Sequence, residues 1–164
     1  MAKLGDTTVF GNLHSTGRIT KNVGFFDSNL TTTQTDAENG LYVNVADSVN
    51  INQGFTVNSS SSINIDVGGI YRVDFTVNFH RTGSGVRNIM YAELELNGTK
   101  LSSRTRGVCY IRNNEGGDEG DAKGTAILDL STNDTLRVYA NEERGGENGN
   151  DVERATLNIE QVGQ

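Results

Sequence analysis

An all-β fold follows from three features of this 164-residue chain: its composition, the period of its apolar residues and the chemistry of the breaks between them. Gly, Asn, Thr and Ser supply 67 of the 164 residues. Gly gives up too much backbone entropy, and Asn and Thr compete too well for local hydrogen bonds, for that mixture to sustain helices. The apolar residues that remain alternate with polar ones, which is the period of a strand with one buried face. Turn-forming pairs at Gly68-Gly69, Asn97-Gly98 and Asn133-Asp134 separate the runs. Seven or more short strands without a helical pattern describe a sandwich, jelly roll or barrel.

Residues 1 to 24 stand apart from the rest. Glycines at 5, 11, 17 and 24 cut them into segments such as TTVF and GNLHSTG. Such segments bury little apolar surface alone, so this stretch is expected to order only against copies of itself or a partner. From Leu41 the period is two. Leu41, Val43 and Val45 form one run, and Ile63, Ile65 and Val67 the next. In GGIYRVDFTVNF, Tyr71, Val73, Phe75, Val77 and Phe79 share one face, and Arg72, Asp74, Thr76 and Asn78 the other, which makes it the strongest strand. Ala92, Leu94 and Leu96 then alternate with Glu93 and Glu95. Ala126, Leu128 and Leu130, then Leu136, Val138 and Ala140, then Ala155, Leu157 and Ile159 complete the series. Long polar loops are expected over 112 to 124 and 142 to 151.

Tyr42, Ile70, Ile127, Tyr139 and Val162 fall on the expected outer faces. Single surface apolars are ordinary. Five of them on different strands point to a second buried surface, and a contact between identical copies is its economical source.

The formal charge is −7, and the 14 cations include no basic run, so a nucleic-acid partner is not expected. No apolar run approaches bilayer length and MAKLGDTTVF has no secretory apolar region, so membrane insertion is not expected either. Cys109 is the only cysteine, which excludes an intrachain disulfide.

Chemistry-bearing groups are few. A nucleophilic site needs Ser or Cys beside an oriented His. Only His14 and His80 exist, no G-x-S-x-G elbow is present, and Cys109 in TRGVCYI reads as a small buried hydrophobe. Glycan cleavage needs two carboxylates, and Glu93 and Glu95 share a strand face; a solvated outer face is the plainer account of them. In NNEGGDEGD, Glu115, Asp118, Glu119 and Asp121 could offer hard oxygen ligands to calcium, against the simpler reading of an acidic loop left to solvent. No other cofactor is expected. Arg104, Arg106 and Arg112 share strand parity and could bind an acidic glycan, or could pair with Glu93 and Glu95 on a neighbouring strand.

Four stretches carry a resemblance. SINIDVGGIYRVDFTVNF, NIMYAELELNGTKL, GDAKGTAILDLSTNDTLRVYANEE and the closing ATLNIEQVG resemble the strand series of the TNF-like and complement-type globular heads, over roughly residues 55 to 164. Two positions depart from that pattern: Asn133 precedes Asp134 where Gly is expected, and Arg137 stands where Trp is frequent. The resemblance implies a jelly-roll sandwich assembled as a compact trimer, with a short extended N-terminal stem. GDTTVFGNLHSTGRIT resembles an element of bacteriophage tail-fibre and other virion proteins, carried by Thr8, Gly11, Asn12, Leu13, Thr16 and Gly17. Together they imply a non-enzymatic virion structural protein of a phage-like particle, a capsid-decorating or short-fibre homotrimer. Residues 1 to 24 are the arm that attaches to capsid or tail proteins, and residues 25 to 164 are the head displayed on the virion surface for stabilisation or for adhesion to a host glycan. A soluble complement-head-like ligand and a glycan-cleaving enzyme are the competing classes.

Overall fold

The computed structural model describes residues 21–28, 33–82, 87–101, 105–112, 117–144 and 149–164. The strands among them form two antiparallel sheets. The first runs β10 (Glu119–Leu130), β6 (Gly69–Arg81), β12 (Asn150–Gly163), β1 (Val23–Asp27) and β3 (Ser48–Gln53), which pairs the first strand with the last. The second runs β4 (Phe55–Ser59), β5 (Ser62–Ile65), β11 (Thr135–Arg144) and β7 (Arg87–Leu96); β8 (Thr99–Lys100) and β9 (Gly107–Arg112) both pair with β7, and β2 (Leu41–Tyr42) pairs with β11. A 3-10 turn spans Ala37–Asn39. Among the described residues no helix is long and apolar enough to cross a membrane.

The alternation in β6 does what the sequence requires of it. Tyr71, Val73, Phe75, Val77 and Phe79 point between the sheets and are at most 2% exposed. Burial of each Val or Phe stabilises by about 1.5–3 kcal/mol relative to exposure. They meet Met90, Ala92 and Leu94 of β7, Leu136 and Val138 of β11, and Leu157 and Ile159 of β12 in one core. Two predicted turns close the same end of the second sheet. Asn97 and Asn133 take left-handed backbone angles, φ 51° and 71°. The Asn97 amide donates to Asp134 Oδ1 at 2.7 Å while its carbonyl oxygen accepts from Thr135 N at 2.8 Å, so each turn anchors the other.

The strands differ from the sequence reading in three places. Of Leu41, Val43 and Val45, only the first lies in a strand; Val43 and Val45 are buried in irregular backbone, with N–H groups donating to Val138 O and Ser60 O at 2.8 Å. The polar stretches expected as loops are partly strand, since β10 starts at Glu119, β11 continues to Arg144 and β12 starts at Asn150. Glycine in GDEGDAKG serves close approach rather than a turn: a Cβ at Gly124 would run into the Phe75 ring and the Thr105 carbonyl, and one at Gly107 into the Lys123 backbone. Finally, β1 begins at Val23, so Val23 and Gly24, assigned to the stem by the sequence boundary, pair with Glu160 and Ile159 in the first sheet.

Candidate functional site

The sandwich has two outward faces, and the predicted site residues divide between them. On the first sheet, β10 and β6 pair from Glu119↔His80 to Leu130↔Gly69, which places Ile127 one diagonal step from Ile70. Val162 is the extra residue of a bulge at Gln161/Gly163, where Gly163 opposes Ile70. These three residues lie at one end of the face and are 69%, 38% and 47% exposed for Ile127, Ile70 and Val162. Ile51, an exposed apolar residue that sequence reasoning missed, opposes half-buried Phe25 at the β3–β1 edge of the same sheet.

The other end of this face is polar. Thr76, Asn78, Glu119, Asp121, Arg154 and Thr156 line a shallow groove. Asp121 accepts from Asn78 Nδ2 at 2.9 Å and pairs with Lys123 at 3.0 Å; these contacts hold its carboxyl below its ordinary pKa. His80 lies between Glu153 (Nδ1 to Oε1, 3.1 Å) and Asp118 (Nε2 to Oδ2, 3.5 Å). Of the four residues nominated for calcium, Asp118 thus faces a histidine, Asp121 an amide and an ammonium, and Glu119 the groove; Glu115 lies outside the described residues. Among the described residues no three His, Cys, Asp or Glu side chains are grouped as metal ligands.

The second sheet's outward face is built differently. Glu93 and Glu95, expected to be solvated, are 1% and 2% exposed. Tyr42 opposes Tyr139 across β2–β11, Tyr139 opposes Glu93 and Arg137 opposes Glu95 across β11–β7, and the Asn97-Gly98 turn folds Lys100 back opposite Glu95. Tyr42 Oη donates to Glu95 Oε2 at 2.9 Å, and Arg137 Nη1 approaches Oε1 at 3.8 Å. Hydrogen bonding to Glu95, then burial, raise the Tyr42 pKa. Arg106, just before β9, reaches Glu93 at 3.5 Å and Glu143 at 3.9 Å; of the pairing read from the sequence between Arg104, Arg106, Arg112 and Glu93, Glu95, this is the part found among the described residues, and Arg112 opposes Arg87 instead. Burial, then Glu93, raise the Tyr91 pKa.

Cations cover the rings. Lys100 Nζ lies 3.3 Å from the Tyr139 centroid, Arg106 Cζ 3.9 Å from Tyr91, Arg137 Cζ 4.8 Å from Tyr42 and Arg112 Cζ 5.6 Å from Tyr110. Four of the chain's five tyrosines therefore carry a cation on this one face. The burial of Glu93 and Glu95 had no local signal, because their cover comes from β2, β8 and β11; the tyrosines of matching parity at 91 and 139 were the available hint.

The five candidate contact residues thus do not form one surface. Ile70, Ile127 and Val162 share the first sheet's face, whereas Tyr42 and Tyr139 pack on each other, 5.7 Å between centroids, on the second's. Arg106 and Arg112 lie on the second face; Arg104 is outside the described residues, as are Thr8, Gly11, Asn12, Leu13, Thr16 and Gly17 of the arm. Cys109 points inward, and burial pushes its thiol up to about 12, with Asp121 adding to the effect. A thiol in that state is no nucleophile near neutral pH. The pair Glu93 and Glu95 is likewise closed off beneath its lid.

No known protein family and no curated protein matches the sequence. Solved structures do match the fold. Eiger, a TNF of S. frugiperda, is 12% identical with a TM-score of 0.56, over 88% of this chain and 94% of that one. Murine APRIL is 13% identical with a TM-score of 0.54, over 87% and 100%. The globular domain of zebrafish complement 1qA is 13% identical with a TM-score of 0.52, over 87% and 98%. At such identity the likeness is one of fold: the chain is an all-β jelly-roll sandwich of the TNF-like and complement-head kind.

Proposed function

We propose that this chain is a non-enzymatic binding head that assembles as a homotrimer on a phage-like particle. Its first sheet turns toward the threefold axis and its second toward solvent. The observation that carries this reading is the cluster of Ile127, Val162 and Ile70 on one face of a head-type jelly roll. Three large apolar side chains exposed at neighbouring positions of one sheet mark a surface that is covered in use, at about 1–2 kcal/mol for each one buried. The residues that match virion elements, Thr8 to Gly17, give the arm the task of attachment to a capsid or tail protein and put the head on the virion surface.

Light scattering on the full chain tests the assembly, with about 53 kDa expected, three times the 17.7 kDa chain. Immunoblotting of purified particles tests the location. Particles made with residues 1–20 deleted should lack the head, and retention of the truncated head would overturn the attachment role.

A further inference from the structure

Among the described residues, the lid of cations and tyrosines has an uncompensated place at the β7–β9 edge. Arg87 and Arg112 are direct register partners across β7 and β9, so their side chains leave the second sheet together, and both are exposed. Like charges directly opposed on neighbouring strands destabilise the pair. Arg106 and Arg137 have Glu93, Glu143 and Glu95 as counter-charges, whereas neither Arg87 nor Arg112 makes an ion pair among the described residues. Beside them on β9, Tyr110 and Val108 are 45% and 49% exposed. Six of the eleven described Lys and Arg residues (87, 100, 106, 112, 137 and 144) lie on this face, in a chain whose formal charge is −7. Cations have been gathered where the rest of the molecule repels an anion.

We propose that this edge of the second sheet binds an acidic saccharide. Its carboxylate or sulfate sits between Arg87 and Arg112, and the C–H face of its pyranose ring lies against Tyr110 and Val108. Two guanidinium forks supply paired donors for a planar or tetrahedral anion, and a half-exposed tyrosine ring on a rigid sheet offers a flat partner for a sugar. An acidic peptide fits less well, because it would bind here most readily by adding a strand to β9. That edge is engaged at its Arg112 end, where Arg112 N donates to Gly117 O at 2.8 Å. The site deepens the proposed function and rests on it in one respect, that the second sheet faces outward in the assembly.

The test is equilibrium binding of the full chain to polygalacturonate and to dextran sulfate, with neutral dextran and polyglutamate as comparisons and light scattering on each sample. One or both acidic polysaccharides should bind at least about tenfold more tightly than dextran and polyglutamate, the carboxylate and sulfate arms telling the two anions apart. The double variant Arg87→Gln/Arg112→Gln should lose about tenfold or more. Lys21→Gln/Lys123→Gln, which removes the same charge from the first sheet's side, should bind as the wild type does. Tyr110→Ala should weaken binding and Tyr110→Phe, which keeps the ring, should preserve it. Absence of acidic-polysaccharide binding by an intact trimer, equal losses in both double variants, or tighter binding of polyglutamate would overturn the site. A monomeric chain that still binds through Arg87 and Arg112 would overturn the trimer and leave the site standing.

Discussion

On the sheet that carries β6, the outward side chains are mostly polar and Ile127, Val162 and Ile70 stand in water. On the sheet that carries β7, the outward side chains bury two carboxylates beneath tyrosines and cations. The first face lacks something that a second copy can supply. The second is satisfied within one chain around Glu93 and Glu95, leaving the Arg87 and Arg112 edge, so its tyrosines are held in place before any ligand arrives, which reduces the entropy lost on binding. The proposed assembly and the proposed recognition each draw on one of these faces.

The same new charge placed on either face should have opposite consequences. Ile127→Arg puts a guanidinium into the proposed interface and should convert the trimer to monomer, whereas Val108→Arg should leave the mass unchanged. Sedimentation velocity separates these outcomes, and equal behaviour of the two variants would remove the distinction between the faces. The next largest effect concerns the lid. Glu95→Leu leaves Arg137 and the Tyr42 hydroxyl without their carboxylate and should lower the stability of the fold by about 2–3 kcal/mol, with Arg137's partial exposure limiting the loss. Tyr42→Phe removes one donor to a charged acceptor and should cost about 1–2 kcal/mol. Urea unfolding measures both, and an unchanged midpoint for Glu95→Leu would show that the lid contributes nothing.

The sequence displayed the in/out parity of these faces but not their assignment. Tyr71 to Phe79 alternate so regularly that β6 and its buried side were readable, as were the turns at Asn97 and Asn133, whose side chains can hydrogen-bond their own backbone. Parity says that Tyr139 and Ile127 both point outward; which sheet each belongs to depends on pairing between distant strands. The carboxylates at 93 and 95 looked solvated for the same reason, since Tyr42 covers them from some fifty residues away in the chain. The start of β10 was hidden because glycine that permits close packing and glycine that makes a turn are the same letter. What stayed legible of the site was the Arg106 and Glu93 pair, because opposite charges of matching parity on adjacent strands attract.

Smaller effects sharpen the polar end of the first face. Asp121 has its pKa lowered by Asn78 and Lys123. A depressed carboxyl stabilises the fold above its unfolded value of 3.8 and loses that contribution as pH falls through the lower, folded value. Asn78→Ala should therefore narrow the difference in melting temperature between pH 6 and pH 3. Calcium at millimolar concentration should leave the melting temperature unchanged, because Asp118 and Asp121 already face protein partners; a rise of several degrees, abolished by Asp118→Ala, would show a bound ion instead.

The central claim is that the face bearing Ile127, Val162 and Ile70 is covered by further copies of the chain. Sedimentation equilibrium of the unaltered full chain at micromolar concentration tests it most directly. The account predicts a single species of about 53 kDa, three times the chain mass; a single species at 17.7 kDa would contradict it.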